Sequence, residues 1–189
     1  MIDLRNTELP SRLEIGGELF DINTGFRTWI SVGELLDKSE VPWLDISALV
    51  FVDNVLPVGT EWVKQVLEFY KSPNPVPKSS GSSSERVVDY IIDGDYIVAA
   101  FQQAYGIDLT DPELDMHWHR FLALFRGLPE DATMSRIMGY RCWKPSKKKH
   151  DAVIRELKSK WTLPERGEDA EAAEERKRRV LELFNERYS

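Results

Sequence analysis

Three groups of side chains in this sequence have types and spacings that could do chemistry. His117 and His119, with Glu113 and Asp115 just before them, invite a metal site. On a helix, positions two apart point about 200° apart, so the two imidazoles cannot close on one ion together. The workable pairings, Glu113 with His117 and Asp115 with His119, supply two ligands each, short of a closed zinc site. Surface or helix-packing histidines are the plainer reading. Asp93 and Asp95 flank Gly94, with Asp89 upstream, which suggests a cation loop. An EF-hand needs further oxygen ligands and a closing Glu at fixed spacing, whereas Tyr96 onward is apolar. Carboxylates at a helix start, favoured by free amide groups, fit better. No metal or other cofactor is expected.

The third group is basic. Lys147, Lys148 and Lys149 stand with Arg141, Lys144, Arg155, Lys158 and Lys160 nearby and Trp143 and Trp161 at the margins. Such a cluster can contact phosphates. No recognisable nucleic-acid motif accompanies it, and an acidic body repels a polyanion. A solvated basic face is the first reading, a docking face for an acidic protein the second, nucleic acid the third. For nucleophilic catalysis, Cys142 and the serines lack a partner pattern. There is no Gly-x-Ser-x-Gly elbow, phosphate-cradling glycine loop or His-Glu-x-x-His helix. An enzyme is not expected.

The elements that position these groups follow from composition and periodicity. The 189 residues are 42% hydrophobic and 30% charged, enough for one substantial core, or one domain plus an appendage. No apolar run approaches the roughly 20 residues of a membrane span, and residues 1–10 lack a basic start and an apolar signal core. The chain is therefore expected to stay in the cytoplasm where it is made. A single cysteine rules out an internal disulfide framework. The net charge of −7 is unevenly spread: residues 1–135 carry 22 acidic and 10 basic side chains, whereas 136–160 carry 9 basic and 2 acidic. Such asymmetry can guide association with a charged partner or another copy of the chain.

Alternation around Gly16-Gly17 predicts a two-residue β-hairpin from Leu13 to Ile22. Helical stripes follow at Phe26–Asp37, from Pro42 and from Thr60. Residues 72–84, SPNPVPKSSGSSS, read as a flexible loop. From Asp93 to Asp131 two apolar helical faces run in succession. The first carries Tyr96, Ile97, Ala100, Phe101 and Ala104 and ends at Gly106. The second opens at Thr110 or Asp111 with Pro112 in its first turn and carries Leu114, Trp118, Phe121, Leu122 and Phe125. So short a connection predicts an antiparallel hairpin. Short helices follow at Ala132–Tyr140 and from Val153 to Trp161. The tail from Glu168 is a long, highly charged helix whose thin apolar stripe includes Val180, Phe184 and Tyr188. The fold class is thus mainly α: a helical single domain over 1–164 with a small N-terminal β-hairpin, and a charged C-terminal helix over 165–189.

The run Asp95, Ile97, Ala100-Phe101, Tyr105-Gly106-Ile107-Asp108-Leu109, His117-Trp118, Phe121, Leu128-Pro129, Ile137 and Arg141 resembles the siphophage tail assembly chaperones of the gene-product-fifteen family. The resemblance spans roughly Leu13 to Leu163. It implies a non-enzymatic protein that coats the tape measure protein, keeps it soluble in the host bacterial cytoplasm, recruits tail tube subunits and is absent from the mature virion. It carries no catalytic residues. Helical periodicity places the partner contact on Val180, Phe184 and Tyr188, with Lys147, Lys148 and Lys149 as a second docking face; self-association is open. The alternative is a small phage regulatory or nucleic-acid-associated protein acting through the basic segment 136–160.

Overall fold

A computed structural model describes residues 5, 8–38, 40–52, 55–71, 86–144 and 151–164. The expected loop at 72–84 and the charged C-terminal helix lie outside the described residues. The chain is mainly α-helical with one small hairpin. Two compact units are present, one comprising residues 1–84 and 90–136, the other 85–89 and 137–189.

In the first unit, β1 (Arg12–Ile15) and β2 (Glu18–Asp21) pair antiparallel with Ile15 opposite Glu18. Gly16 and Gly17 close the turn with φ of 60° and 85°, the two positive angles that a tight hairpin of this hand requires. Leu13 and Ile15 point inward while Arg12 and Glu14 face out, and β1 lies against α3 (Glu61–Tyr70). A two-stranded ribbon is marginal in water, so that support is what holds it. Two bridges extend the strand geometry: Ile22 pairs with Phe51, and Gly25 pairs with His117. Through the second, Phe26 N–H donates to the Met116 carbonyl at 2.9 Å and Trp118 N–H to the Thr24 carbonyl at 2.7 Å. The first residues of α1 (Phe26–Leu36) and α5 (Trp118–Arg126) are thereby pinned together.

The core is aromatic. Phe121 on α5 stacks on Phe26 at 5.1 Å and on Phe101 of α4 (Gly94–Tyr105) at 5.2 Å. Trp29, fully buried, packs against Phe69 at 4.5 Å, and Tyr70 stacks on Trp118 at 5.6 Å. Each indole N–H finds a carbonyl: Trp29 donates to Asn23 at 2.7 Å and Trp118 to Tyr70 at 3.0 Å, as buried donors must. Ile46 and Val50 of α2 (Trp43–Val50) and Val66 of α3 complete the floor.

The stretch between α4 and α5 departs from the sequence expectation. α4 ends as expected, with Gly106 in the left-handed region at φ 66°. The next helix, however, starts at Trp118 and not near Pro112, so residues 106–117 form a long connection, not the short link of a tight helical hairpin. The carboxylates that signal a helix start are spent within turns. Asp108 Oδ1 accepts from the Thr110 N–H at 2.8 Å and its hydroxyl at 2.6 Å, and Asp111 Oδ1 accepts from the Glu113 N–H at 2.9 Å. Arg27 then ties the turn to α1 by donating to the carbonyls of Leu109, Asp111 and Leu114. The two helices still touch, through Phe101 on Phe121 and the Tyr105 hydroxyl donating to the Leu124 carbonyl at 2.9 Å. Thr60 precedes α3 as expected but makes no side-chain cap bond.

In the second unit, α7 (Asp151–Trp161) and residues 137–142 of α6 (Thr133–Cys142) frame Arg141. This guanidinium is 6% exposed, and it donates to the Trp161 carbonyl at 2.6 Å and the Val87 carbonyl at 2.9 Å. Arg86 pairs with Asp89 at 2.9 Å and donates to the Pro164 carbonyl at 3.1 Å.

Candidate functional site

The histidine pair is structural in its geometry. His117 is the N-cap residue of α5 with extended backbone, so the 200° separation expected for two helical positions does not apply, and the rings stand 5.2 Å apart. His117 Nδ1 accepts the His119 N–H at 3.0 Å, which puts its proton on Nε2, from where it donates to the Pro10 carbonyl at 2.9 Å. His119, 6% exposed, donates from Nε2 to the Phe69 carbonyl at 2.9 Å, and its Nδ1 is buried without a partner among the described residues. Burial, the largest cause for each, lowers both imidazole pKa values. The pairings of Glu113 and Asp115 with these rings presumed a helix that is not there. Among the described residues no three His, Cys, Asp or Glu side chains gather to hold a metal.

Asp93, expected to cap α4, is 1% exposed and makes no side-chain cap bond. The basic segment is also less open than its sequence suggests. Arg141 turns inward, and Lys158 Nζ donates to the Trp143 carbonyl at 3.2 Å, so both leave the free cationic face. Lys147, Lys148 and Lys149 lie outside the described residues, as do Val180, Phe184 and Tyr188. A shallow depression of about 440 Å³ between α4 and the 106–110 turn is lined by Asp95, Val98, Ala99, Gln102, Asp108 and Thr110. Its Asp108 carboxylate is already held by Thr110, whose two bonds lower its pKa.

A more coherent feature lies on the hairpin, α2 and α3. Four rings meet edge to face in a chain: Phe20 to Phe51 at 6.1 Å, Phe51 to Trp62 at 5.8 Å and Trp62 to Trp43 at 6.0 Å. The apolar residues beside them in sequence are exposed: Leu19 64%, Leu44 74%, Val52 43% and Val58 98%. Local structure explains two of the positions. Leu44 lies two residues before the inward Ile46, hence on the opposite side of α2. Leu19 sits opposite Glu14, on the face of the hairpin away from Leu13 and Ile15. Leu19 and Leu44 thus turn away from the buried sides of their elements, and exposed aliphatics so placed need no further explanation. Glu18, Asp45 and Glu61 are also exposed, as is Lys64 on α3, which pairs with Glu68 at 3.9 Å.

Helical periodicity from Pro42 gives Leu44 and the apolar residues of 52–58 no inward face. The available signal was negative: VDNVLPVG fits neither a helical nor a strand period, and apolar residues without a period have no face to bury.

What the described residues offer is exposed aliphatic side chains and exposed carboxylates on the hairpin, α2 and α3. A family model described as Bacteriophage Gp15 protein matches residues 6–163. No curated protein and no solved structure matches the chain. The match covers well over half of the sequence, so the chain belongs to the bacteriophage Gp15 family.

Proposed function

We propose that this bacteriophage Gp15-family protein is a tail assembly chaperone that binds the tape measure protein, keeps it soluble in the host cytoplasm and hands it to tail tube subunits, acting by binding and not by catalysis. The observation that carries the reading is the family membership over residues 6–163. The physical logic supports it. A tape measure is a long helical chain with apolar seams that aggregate when uncovered, and covering them reversibly requires exposed apolar surface on a body that is itself well packed. The first unit has that character, with Leu44 and Val58 exposed on a body whose aromatic core is buried. Val180, Phe184 and Tyr188 supply a second apolar stripe by sequence, and the lysines at 147–149 a cationic face. On this reading the protein leaves before the virion is complete.

Reconstitution tests the hand-over. Purified tape measure segment should co-elute with the chaperone on size exclusion, and adding tail tube protein should release the chaperone and retain the tape measure in the new complex. A mixture in which tail tube protein leaves the first complex intact contradicts the hand-over.

A further inference from the structure

We propose that His117, His119 and Phe69 form a proton-operated latch: with both imidazoles neutral it holds the Pro10 segment and the last turn of α3 to the start of α5, and protonation opens it while the aromatic core stays packed. Three rings make the latch. Their centroids lie 4.4 Å apart for Phe69 and His119, 5.2 Å for the two imidazoles and 5.8 Å for Phe69 and His117. Each imidazole fastens a separate stretch of chain. His117 Nε2–H donates to the Pro10 carbonyl at 2.9 Å, one residue before Ser11, whose carbonyl takes the Ile22 N–H at 3.0 Å. His119 Nε2–H donates to the Phe69 carbonyl at 2.9 Å. These bonds join positions 107 and 50 residues apart, so no local turn remakes them once they break.

Neither imidazole can take a proton in place. His117 Nδ1 accepts the His119 N–H at 3.0 Å, so an Nδ1–H would point at another donor, and the ring must turn and release Pro10. His119 is 6% exposed and its Nδ1 has no acceptor among the described residues, so its imidazolium must leave Phe69 to reach water. Two cationic rings 5.2 Å apart would also repel, so both protons favour the open form. The surroundings do little to oppose this. Burial, the largest cause, holds both rings below the ordinary imidazole range; at His117 the Pro10 carbonyl and then the Asp115 carboxylate oppose it, and at His119 the Phe69 carbonyl opposes it while His117 and the N-terminal ammonium add to it. Charges on the neighbouring elements are engaged elsewhere: Glu68 of α3 pairs with Lys64, Arg12 of β1 with Asp21, and Arg27 of α1 holds the carbonyls of Leu109, Asp111 and Leu114. The latch operates whether or not a tape measure protein is the client.

Hydrogen exchange on the full chain, read amide by amide by NMR, tests it. The reporters are the Ile22, His119 and Lys71 amides, which donate to Ser11, His117 and Leu67. From about pH 7.5 to about pH 5.5, after correction for the intrinsic pH dependence of exchange, their protection should fall at least about tenfold, and about a hundredfold where both protons enter on opening. Protection at Phe101 and Phe125, in α4 and the far end of α5, should change less than about threefold over the same range. His117→Asn keeps a side-chain oxygen able to cap α5 and does not titrate. Its His119 amide should stay protected at about pH 7.5 and respond to acid about tenfold less, since one of the two protons is gone. Adding His119→Gln, whose amide nitrogen can still donate to Phe69, should abolish the response. The wild-type comparison decides by itself if that double variant does not fold. Unchanged protection at Ile22 and His119 in acid, an equal fall at Phe101, or a full acid response in His117→Asn would each overturn the proposal.

Discussion

His117 caps the helix that carries His119: its Nδ1 accepts the His119 N–H at 3.0 Å while its Nε2–H holds the Pro10 carbonyl at 2.9 Å. The arrangement works only with a neutral ring, because a proton on Nδ1 would face another donor. His119 has the same requirement for a different reason, since its Nδ1 is buried with no acceptor among the described residues. Burial is the main cause of both falls in pKa; at His117 the Pro10 carbonyl and then Asp115 oppose it, and at His119 the Phe69 carbonyl opposes it while His117 adds to it.

Acid should therefore loosen the first unit. Both folded pKa values lie below the ordinary value of 6.5, so the unfolded chain takes up protons first. The stability these groups contribute is fully present above about pH 6.5 and is lost as pH falls through that value toward the folded pKa values. Thermal unfolding followed between pH 8 and 5 should show the midpoint falling on the acid side. His117→Ala should cost about 1 kcal/mol at pH 8 through the lost cap and flatten the acid slope. An unchanged slope in that variant would remove His117 from the account.

Gly33→Ala should destabilise although alanine is the better helix former by about 1 kcal/mol. A Cβ at Gly33 meets the Tyr70 hydroxyl in overlap and the ring carbon Cζ at 3.1 Å. Tyr70 is stacked on Trp118 at 5.6 Å and on Trp29 at 6.4 Å, so it cannot swing away freely. The net cost should be about 1–3 kcal/mol in urea unfolding. Tyr70→Phe removes the overlapping atom, so the double variant should be more stable than the sum of the two single effects. Additive effects would contradict the contact.

How much was legible in the sequence depended on whether a signal had one physical use. Gly16-Gly17 and Gly106 were readable because positive φ serves few purposes, and their angles of 60°, 85° and 66° match. The apolar stripe of α4 was readable because a helical period has one structural meaning, whereas the stripe expected on α7 from Val153 to Trp161 fails at its first member, since Val153 is 63% exposed. Asp108 and Asp111 were not, because a carboxylate can cap a helix or close a turn on a residue two further on, and here Arg27, far away in sequence, holds the turn. The true cap, His117, is an uncommon one. Arg141 was counted as a surface cation because nothing local reveals that the carbonyls of Val87 and Trp161 converge on it. The exposure of Leu44 and Val58 was hidden by the same limit, since only the fold tells an apolar residue that finds a neighbour from one that does not.

Arg141→Lys should destabilise the second unit by about 2–3 kcal/mol, although charge is kept. An ammonium on a flexible stem cannot reproduce the fork that reaches the Trp161 and Val87 carbonyls together. Hydrogen exchange should accelerate across 151–161 and much less across 26–36. Equal acceleration in both segments would mean that Arg141 acts on stability generally and not on α7.

Co-expression with the tape measure protein of the same phage tests the central claim most directly. The account predicts that the tape measure, insoluble alone, appears in the soluble fraction and co-elutes with this protein on size exclusion. Truncation after Pro164, charge reversal at Lys147–Lys149 and Leu44→Asp with Val58→Asp would then say which face makes the contact. A tape measure that stays in the pellet while this protein is soluble and folded would contradict the chaperone reading. Retention on DNA that weakens steeply with salt, and is lost on reversing Lys147–Lys149, would then favour the nucleic-acid alternative.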